Sequence, residues 1–185
     1  MKDLNELILV LGGSSSGKSA FAESLSCASE NNYYLATMKR PDIRDAYYHE
    51  IMKRIETHRK SREGKGFITL EIERDIEAEA KKAIEGRADL ILLESLSSLL
   101  SNEMFNEDIV LNERSCEEKI FAAIELLLKK TGRLVIVSDE IFSDGIIYEE
   151  PASMYQRCLS ALHEKIAKEA AAVYEVYYGI PRRLK

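Results

Sequence analysis

The chain has 185 residues, 45% of them hydrophobic, and a formal net charge of −6 at pH 7. That is enough apolar material for one core, and its lysines and arginines are interspersed among acids, which excludes the massed basic face of a nucleic-acid binder and points to small-molecule partners. No apolar stretch is long enough to form a membrane span.

The opening residues, MKDLNELILVL, place acids before a short apolar run and carry no small-residue cleavage site, so a cytoplasmic address is expected. Cys27, Cys116 and Cys158 lack CxxC or Cys/His ligand spacing and read as reduced thiols on helix faces. With no linker, repeat or low-complexity tract, residues 1–185 are expected to form a single domain.

The first predicted element is the strand LILVL over 7–11, which breaks directly into GGSSSGKS. Gly12, Gly17, Lys18 and Ser19 satisfy G-x-x-x-x-G-K-[ST], and a helix predicted over 18–29 completes the strand–loop–helix context that the motif requires. In such a loop glycines let successive N–H groups face one oxyanion. The helix adds its positive end, Lys18 reaches the β- and γ-phosphates, and Ser19 can ligate Mg²⁺. Nucleotide binding follows.

A strand over 32–37 (NYYLAT) leads to a helix over 43–63. In EIMKRIETHRKSR the i, i+4 steps set Arg54, His58 and Arg62 on one basic ridge, with Ile51 and Ile55 beside it facing the core and His49 on the opposite side. Flanking guanidiniums disfavour a protonated imidazole and offer forks for phosphate oxygens, an environment suited to a nucleophilic histidine. An exposed charged face is the plainer alternative.

Strands over 67–71 (FITLE), 89–94 (DLILLE), 133–138 (RLVIVS) and 172–178 (AVYEVYY) alternate with helices over 73–86, 95–104, 113–130 and 152–171. Runs apolar on both faces, such as LILL and LVIV, suit strands covered on each side. The predicted fold is therefore α/β, a P-loop NTPase-like three-layer sandwich with a mainly parallel sheet. Ligands bind beyond the carboxyl ends of such strands. A P-loop also needs an acid at the end of a neighbouring strand to hold its metal, and both Glu94 and the Asp139–Glu140 pair qualify; spacing does not choose between them.

Taken together, LVLGGSSSGKSAFAE, YYLAT, RIETHRKSR, FITLE, LLESLSSLLSN, IVSDEIFSDGIIYE and YYGIPRRLK resemble, in order and along essentially the whole chain, the bifunctional adenosylcobinamide kinase/adenosylcobinamide-phosphate guanylyltransferase family of cobalamin biosynthesis. The resemblance implies a homotrimer of P-loop domains with ATP and GTP as substrates, Mg²⁺ as cofactor and a corrinoid as the second substrate. One step phosphorylates the aminopropanol hydroxyl of adenosylcobinamide, and the next transfers GMP through a histidine adduct. It makes Gly12, Gly13, Ser14, Ser15, Ser16, Gly17, Lys18 and Ser19 the triphosphate loop, Ala36, Thr37 and Met38 a nucleotide-contacting strand end, and His58 the guanylylated nucleophile, with Lys18 the second catalytic residue.

It also implies that Arg59, Lys60, Ser61, Arg62, Glu71 and Glu94 surround the nucleotide, and it favours Ser19 with Glu94 over Glu140 for the metal. Ser15, Phe67, Tyr148 and His163 depart from the family's usual Arg, Trp, Pro and Asn, and the divergent stretch 148–163 is expected to border the corrinoid. The residues alone also admit an ordinary P-loop kinase or NTPase whose metal acid lies in IVSDE, or a nucleotide-sensing module without turnover.

Overall fold

The computed structural model describes residues 5–26, 29, 31–105 and 112–185. Cys27 lies outside them. In chain order the elements are β1 (Glu6–Gly12), α1 (Lys18–Ser24), β2 (Asn32–Ala36), α2 (Tyr48–Arg62), β3 (Phe67–Glu71), α3 (Ile76–Ala83), β4 (Ala88–Glu94), α4 (Leu96–Met104), α5 (Glu113–Lys129), β5 (Thr131–Asp139), α6 (Ala152–Glu169), β6 (Ala172–Tyr177) and β7 (Ile180–Arg183).

The strands form one sheet in the order β3-β2-β4-β5-β1-β6-β7. Neighbours from β3 to β6 pair in parallel, and β7 returns antiparallel to β6. Alternation along each strand splits the core in two. Leu7 and Leu9 of β1, Leu35 of β2, Leu93 of β4 and Ile136 of β5 face α3, α4, α5 and α6, whereas Ile8, Val10, Tyr34, Leu92 and Val135 face the side covered by α1. The result is the mainly parallel three-layer sandwich that the strand–helix alternation predicts.

One strand is unanticipated and one expectation is corrected. The terminal IPRR forms the strand β7, which periodicity does not reveal because a proline and two arginines give no apolar alternation; such a strand is tolerated at a sheet edge. Ile51 and Ile55 do not join either core cluster. Arg62 is the one buried residue of α2, so that helix docks through its basic ridge.

The parallel registers bring strand ends level: Gly12 lies opposite Asp139, and Ala36 lies opposite both Glu94 and Glu71. These are the carboxyl ends that the phosphate loop crosses. Cys116 and Cys158 are buried and free, and burial pushes their thiols up to about 11 and about 12, which leaves them inert.

The loop is backed by the β6–β7 turn. Gly179 N–H donates to the Ser16 carbonyl at 2.7 Å. A Cβ on Gly17, whose φ is +91°, would lie 2.9 Å from Gly179 Cα, whereas one on Gly13 would meet nothing within 4 Å. Gly17→Ala is therefore expected to lower stability by about 1–3 kcal/mol. Gly13→Ala should stay within about 0.5 kcal/mol of the native chain in urea denaturation, and equal losses would show that the hairpin does not constrain the loop.

Candidate active site

The residues from Gly12 to Ser19 join the buried strand β1 to the first turn of α1, and the turn is closed by Ser16 N–H donating to the Gly13 carbonyl at 3.2 Å. Gly17 and Ser15 occupy the left-handed region, with φ of 91° and 58°. Lys18 is buried, and its Nζ donates to the Gly13 carbonyl at 3.1 Å and pairs with Asp139 Oδ1 at 2.7 Å. Ser16 Oγ is buried with no partner among the described residues. A concave loop carrying a cation at its mouth and an orphaned hydroxyl within suits an oxyanion.

Glu94 closes β4 and gathers the neighbouring elements. Ser19 Oγ donates to one of its carboxylate oxygens and Tyr34 Oη to the other. His58 Nδ1 stands 3.7 Å from Oε1. Burial first, then the Glu94 charge, pushes the Tyr34 phenol far up, so Tyr34 remains a proton donor to the carboxylate. Arg62 lies across the Tyr34 ring with its Cζ 4.1 Å from the centroid, a cation–π contact that seats the end of α2. The ridge thus runs over the strand ends.

Asp139, at the end of β5, plays a different part. It accepts from Ser97 Oγ at 2.5 Å while pairing with Lys18. Burial raises its carboxyl, but hydrogen bonds from Lys18 and Ser97 and the charges of Lys18 and Arg54 outweigh that and hold it below the usual carboxylate range. Glu140 turns to its own loop and accepts from Phe142 N–H at 2.9 Å and Ser143 Oγ at 3.1 Å. Of the acids left open by sequence, Glu94 is the one that touches Ser19.

The structure thus gathers Gly12, Gly13, Ser14, Ser15, Ser16, Gly17, Lys18, Ser19, Glu94, His58 and Arg62. The end of β2 joins them, since Thr37 N–H donates to the Glu94 carbonyl at 2.9 Å and its hydroxyl and the Ser95 backbone hydrogen-bond at 2.8 Å; Ala36 and Met38 flank it. Arg59, Lys60 and Ser61 are exposed on α2, where Lys60 pairs with Glu56 at 3.9 Å and Ser61 bonds to the His58 carbonyl at 2.9 Å. Glu71 ends the edge strand β3 and pairs with Arg40 at 2.7 Å. Sequence reasoning missed Tyr34 and Ser97. The period-2 pattern sets Tyr34 on the same face as Ala36, the register partner of Glu94, but only the β2–β4 pairing reveals that neighbour.

The oxygen donors of Ser19 and Glu94 suit a hard divalent cation, with ligand oxygens completing its shell. Among the described residues no group of three or more His, Cys, Asp or Glu could hold a metal by itself. No helix among them is long and apolar enough to cross a membrane.

A family model described as cobinamide kinase / cobinamide phosphate guanyltransferase matches residues 8–184. The chain is 27% identical to the bifunctional adenosylcobalamin biosynthesis protein CobU of Escherichia coli (strain K12), over 97% of this chain and 99% of that one. It is 30% identical to the bifunctional adenosylcobalamin biosynthesis protein CobP of Pseudomonas aeruginosa, over 96% of each. A solved KaiC-like protein from Pyrococcus horikoshii OT3 superposes with a TM-score of 0.47 at 14% identity, over 92% of this chain and 70% of that one.

Behind the site, His163 of α6 shares a 2.7 Å hydrogen bond with Ser138 Oγ and meets the Phe142 ring edge-on. Burial lowers its pKa from 6.5 to about 4, against the opposing pull of Glu140 and Asp139. An unfolded chain therefore takes up this proton first as the pH falls, so the stability contributed by a neutral His163 declines between pH 6.5 and about 4 and that contribution levels off below. The contribution is up to about 3 kcal/mol. His163→Asn should flatten that part of the stability–pH curve, and an unchanged slope would show that His163 is not the group responsible.

Proposed function

The chain belongs to the cobinamide kinase / cobinamide phosphate guanyltransferase family, and on that premise we propose that it is a single P-loop catalytic domain that performs both reactions. It phosphorylates adenosylcobinamide with a nucleoside triphosphate, ATP or GTP, and transfers GMP from GTP to adenosylcobinamide phosphate through a His58 adduct. The supporting observation is one shared carboxylate: Glu94 accepts from Ser19 of the phosphate loop and faces His58 at 3.7 Å. We further propose that the working form is a cytoplasmic homotrimer.

In the kinase step a substrate hydroxyl oxygen bonds to the γ-phosphorus, the bond to the β,γ-bridging oxygen breaks, and the hydroxyl proton passes to solvent. The loop N–H groups and Lys18 stabilise the charge that gathers on the phosphates. Mg²⁺, with Ser19 and Glu94 as its protein-side oxygen donors, supplies Lewis-acid neutralisation of the triphosphate when bound.

In the transfer step His58 attacks the α-phosphorus. Its Nδ1 faces Glu94, which leaves Nε2 to form the N–P bond as the bond to the α,β-bridging oxygen breaks and pyrophosphate departs. The imidazole proton on Nδ1 then points at a carboxylate, which offsets the positive charge created on the ring. A phosphate oxygen of adenosylcobinamide phosphate next bonds to the same phosphorus and expels the imidazole. Both reactions draw on one set of phosphate contacts.

Protein incubated with Mg²⁺ and α-labelled GTP should retain label after denaturation, lose it in mild acid but not in alkali, and gain none from γ-labelled GTP. His58→Ala should abolish the label, while His49→Ala should keep it. Label that persists in the His58 variant, or none in the native protein, would overturn the transfer reaction and leave an ordinary P-loop kinase.

For the metal, Glu94→Gln should reduce Mg²⁺-dependent turnover by about a hundredfold or more, and Glu140→Gln by far less. The opposite ranking would move the metal acid to the end of β5.

A further inference from the structure

Between β5 and α6, residues 140–151 leave the sheet beside the phosphate loop and present apolar side chains to solvent. Ile147 is 98% exposed and Ile146 59%, with Phe142 at 40% and Tyr148 at 37%. Single exposed hydrophobics are ordinary, but four within seven residues call for an occupant, and the loop that bears them begins against the phosphate loop, where Glu140 N–H donates to the Gly12 carbonyl at 3.0 Å. The loop is braced in this form. Asp144 accepts from Ile146 N–H at 2.9 Å and from Tyr148 Oη at 2.6 Å, while Glu140 accepts from Phe142 N–H at 2.9 Å.

Charge narrows the choice. The stretch SDEIFSDGIIYEE (138–150) holds five acids and no lysine or arginine; Asp139 pairs with Lys18 and Glu150 with Arg157, which leaves Glu140, Asp144 and Glu149 without a cationic partner within the stretch. Such a surface repels a second nucleotide and suits a ligand that is apolar, cationic and rich in amide donors. A cobinamide has this character: a broad, largely apolar macrocycle edged with neutral amides around a cationic cobalt, with its reactive hydroxyl at the end of one arm. The ring is too broad to enter the phosphate loop, so it has to rest outside while the arm reaches the γ-phosphorus. The loop starts at the required place, since Asp139 pairs with Lys18 at 2.7 Å.

We propose that residues 142–148 form the docking surface for the corrin ring, with Ile146 and Ile147 packed against its face and the neighbouring acids meeting its amide edge. This rests on the function proposed above. The decisive variant is Ile146→Ser/Ile147→Ser, which touches neither the phosphate loop nor the core. Cobinamide binding, read by equilibrium dialysis from the ligand's own visible absorption, should weaken about tenfold or more, the loss expected for uncovering two aliphatic side chains. ATP affinity, α-label on His58 and elution volume in gel filtration should not change.

Equal cobinamide affinity in variant and native protein would overturn the docking surface and leave the proposed function standing. A shift to a smaller species would overturn it in favour of a second copy of the chain as the occupant. Native protein that binds no cobinamide would overturn both the surface and the corrinoid reading, whereas retained α-label would still support the histidine chemistry.

Discussion

Glu94 sits where four parts of the chain meet. Its carboxylate takes hydrogen bonds from Ser19 on the phosphate loop and Tyr34 on β2, it ends β4, and it faces His58 on α2. Only 11% of this carboxylate is exposed, and these neighbours supply a hydrogen-bond donor to each of its oxygens. The arrangement therefore holds only while the sheet keeps its register. A slip of one residue between β2 and β4 would turn Tyr34 to the opposite face and strip the carboxylate of a donor.

The sheet secures that register by burial. Leu90, Ile91, Leu92 and Leu93 are fully enclosed between the helix layers, as are Leu134, Val135, Ile136 and Val137 next to them. On that platform the polar residues fall at the strand ends, and they take separate partners. Asp139 engages Lys18 and Ser97, whereas Glu94 engages Ser19 and Tyr34. Adjacent residues of the phosphate loop are thus held by acids from adjacent strands, and the hairpin between β6 and β7 closes the loop from behind.

What could be read from the sequence was local. The phosphate loop is an eight-residue pattern, the buried strands are continuous apolar runs, and the Arg54–His58–Arg62 ridge follows from the pitch of one helix; each appears in the structure where its pattern puts it. What could not be read depends on contacts distant in the chain. Tyr34 meets Glu94 only because β2 pairs with β4, and Lys18 meets Asp139 only because β5 lies beside β1. The same holds for the choice between Glu94 and Glu140, since both end strands and only side-chain direction separates them. Ile51 and Ile55 show the converse: helical pitch puts them on one stripe, but nothing local says that charge will face the sheet instead.

Helix α2 is fastened in an unusual way for an element that carries a proposed nucleophile. Of its fifteen residues only Arg62 is buried. It is held by that guanidinium on Tyr34, by His58 facing Glu94, and just past its end by Lys65 paired with the buried Glu23. The charge pair Lys65–Glu23 weakens as mobile ions screen it, while the apolar packing of α3 to α6 on the sheet strengthens in kosmotropic salts. A kosmotropic salt such as sulfate thus acts in opposite directions on the two halves of the site, loosening the element that bears the histidine while tightening the platform beneath it.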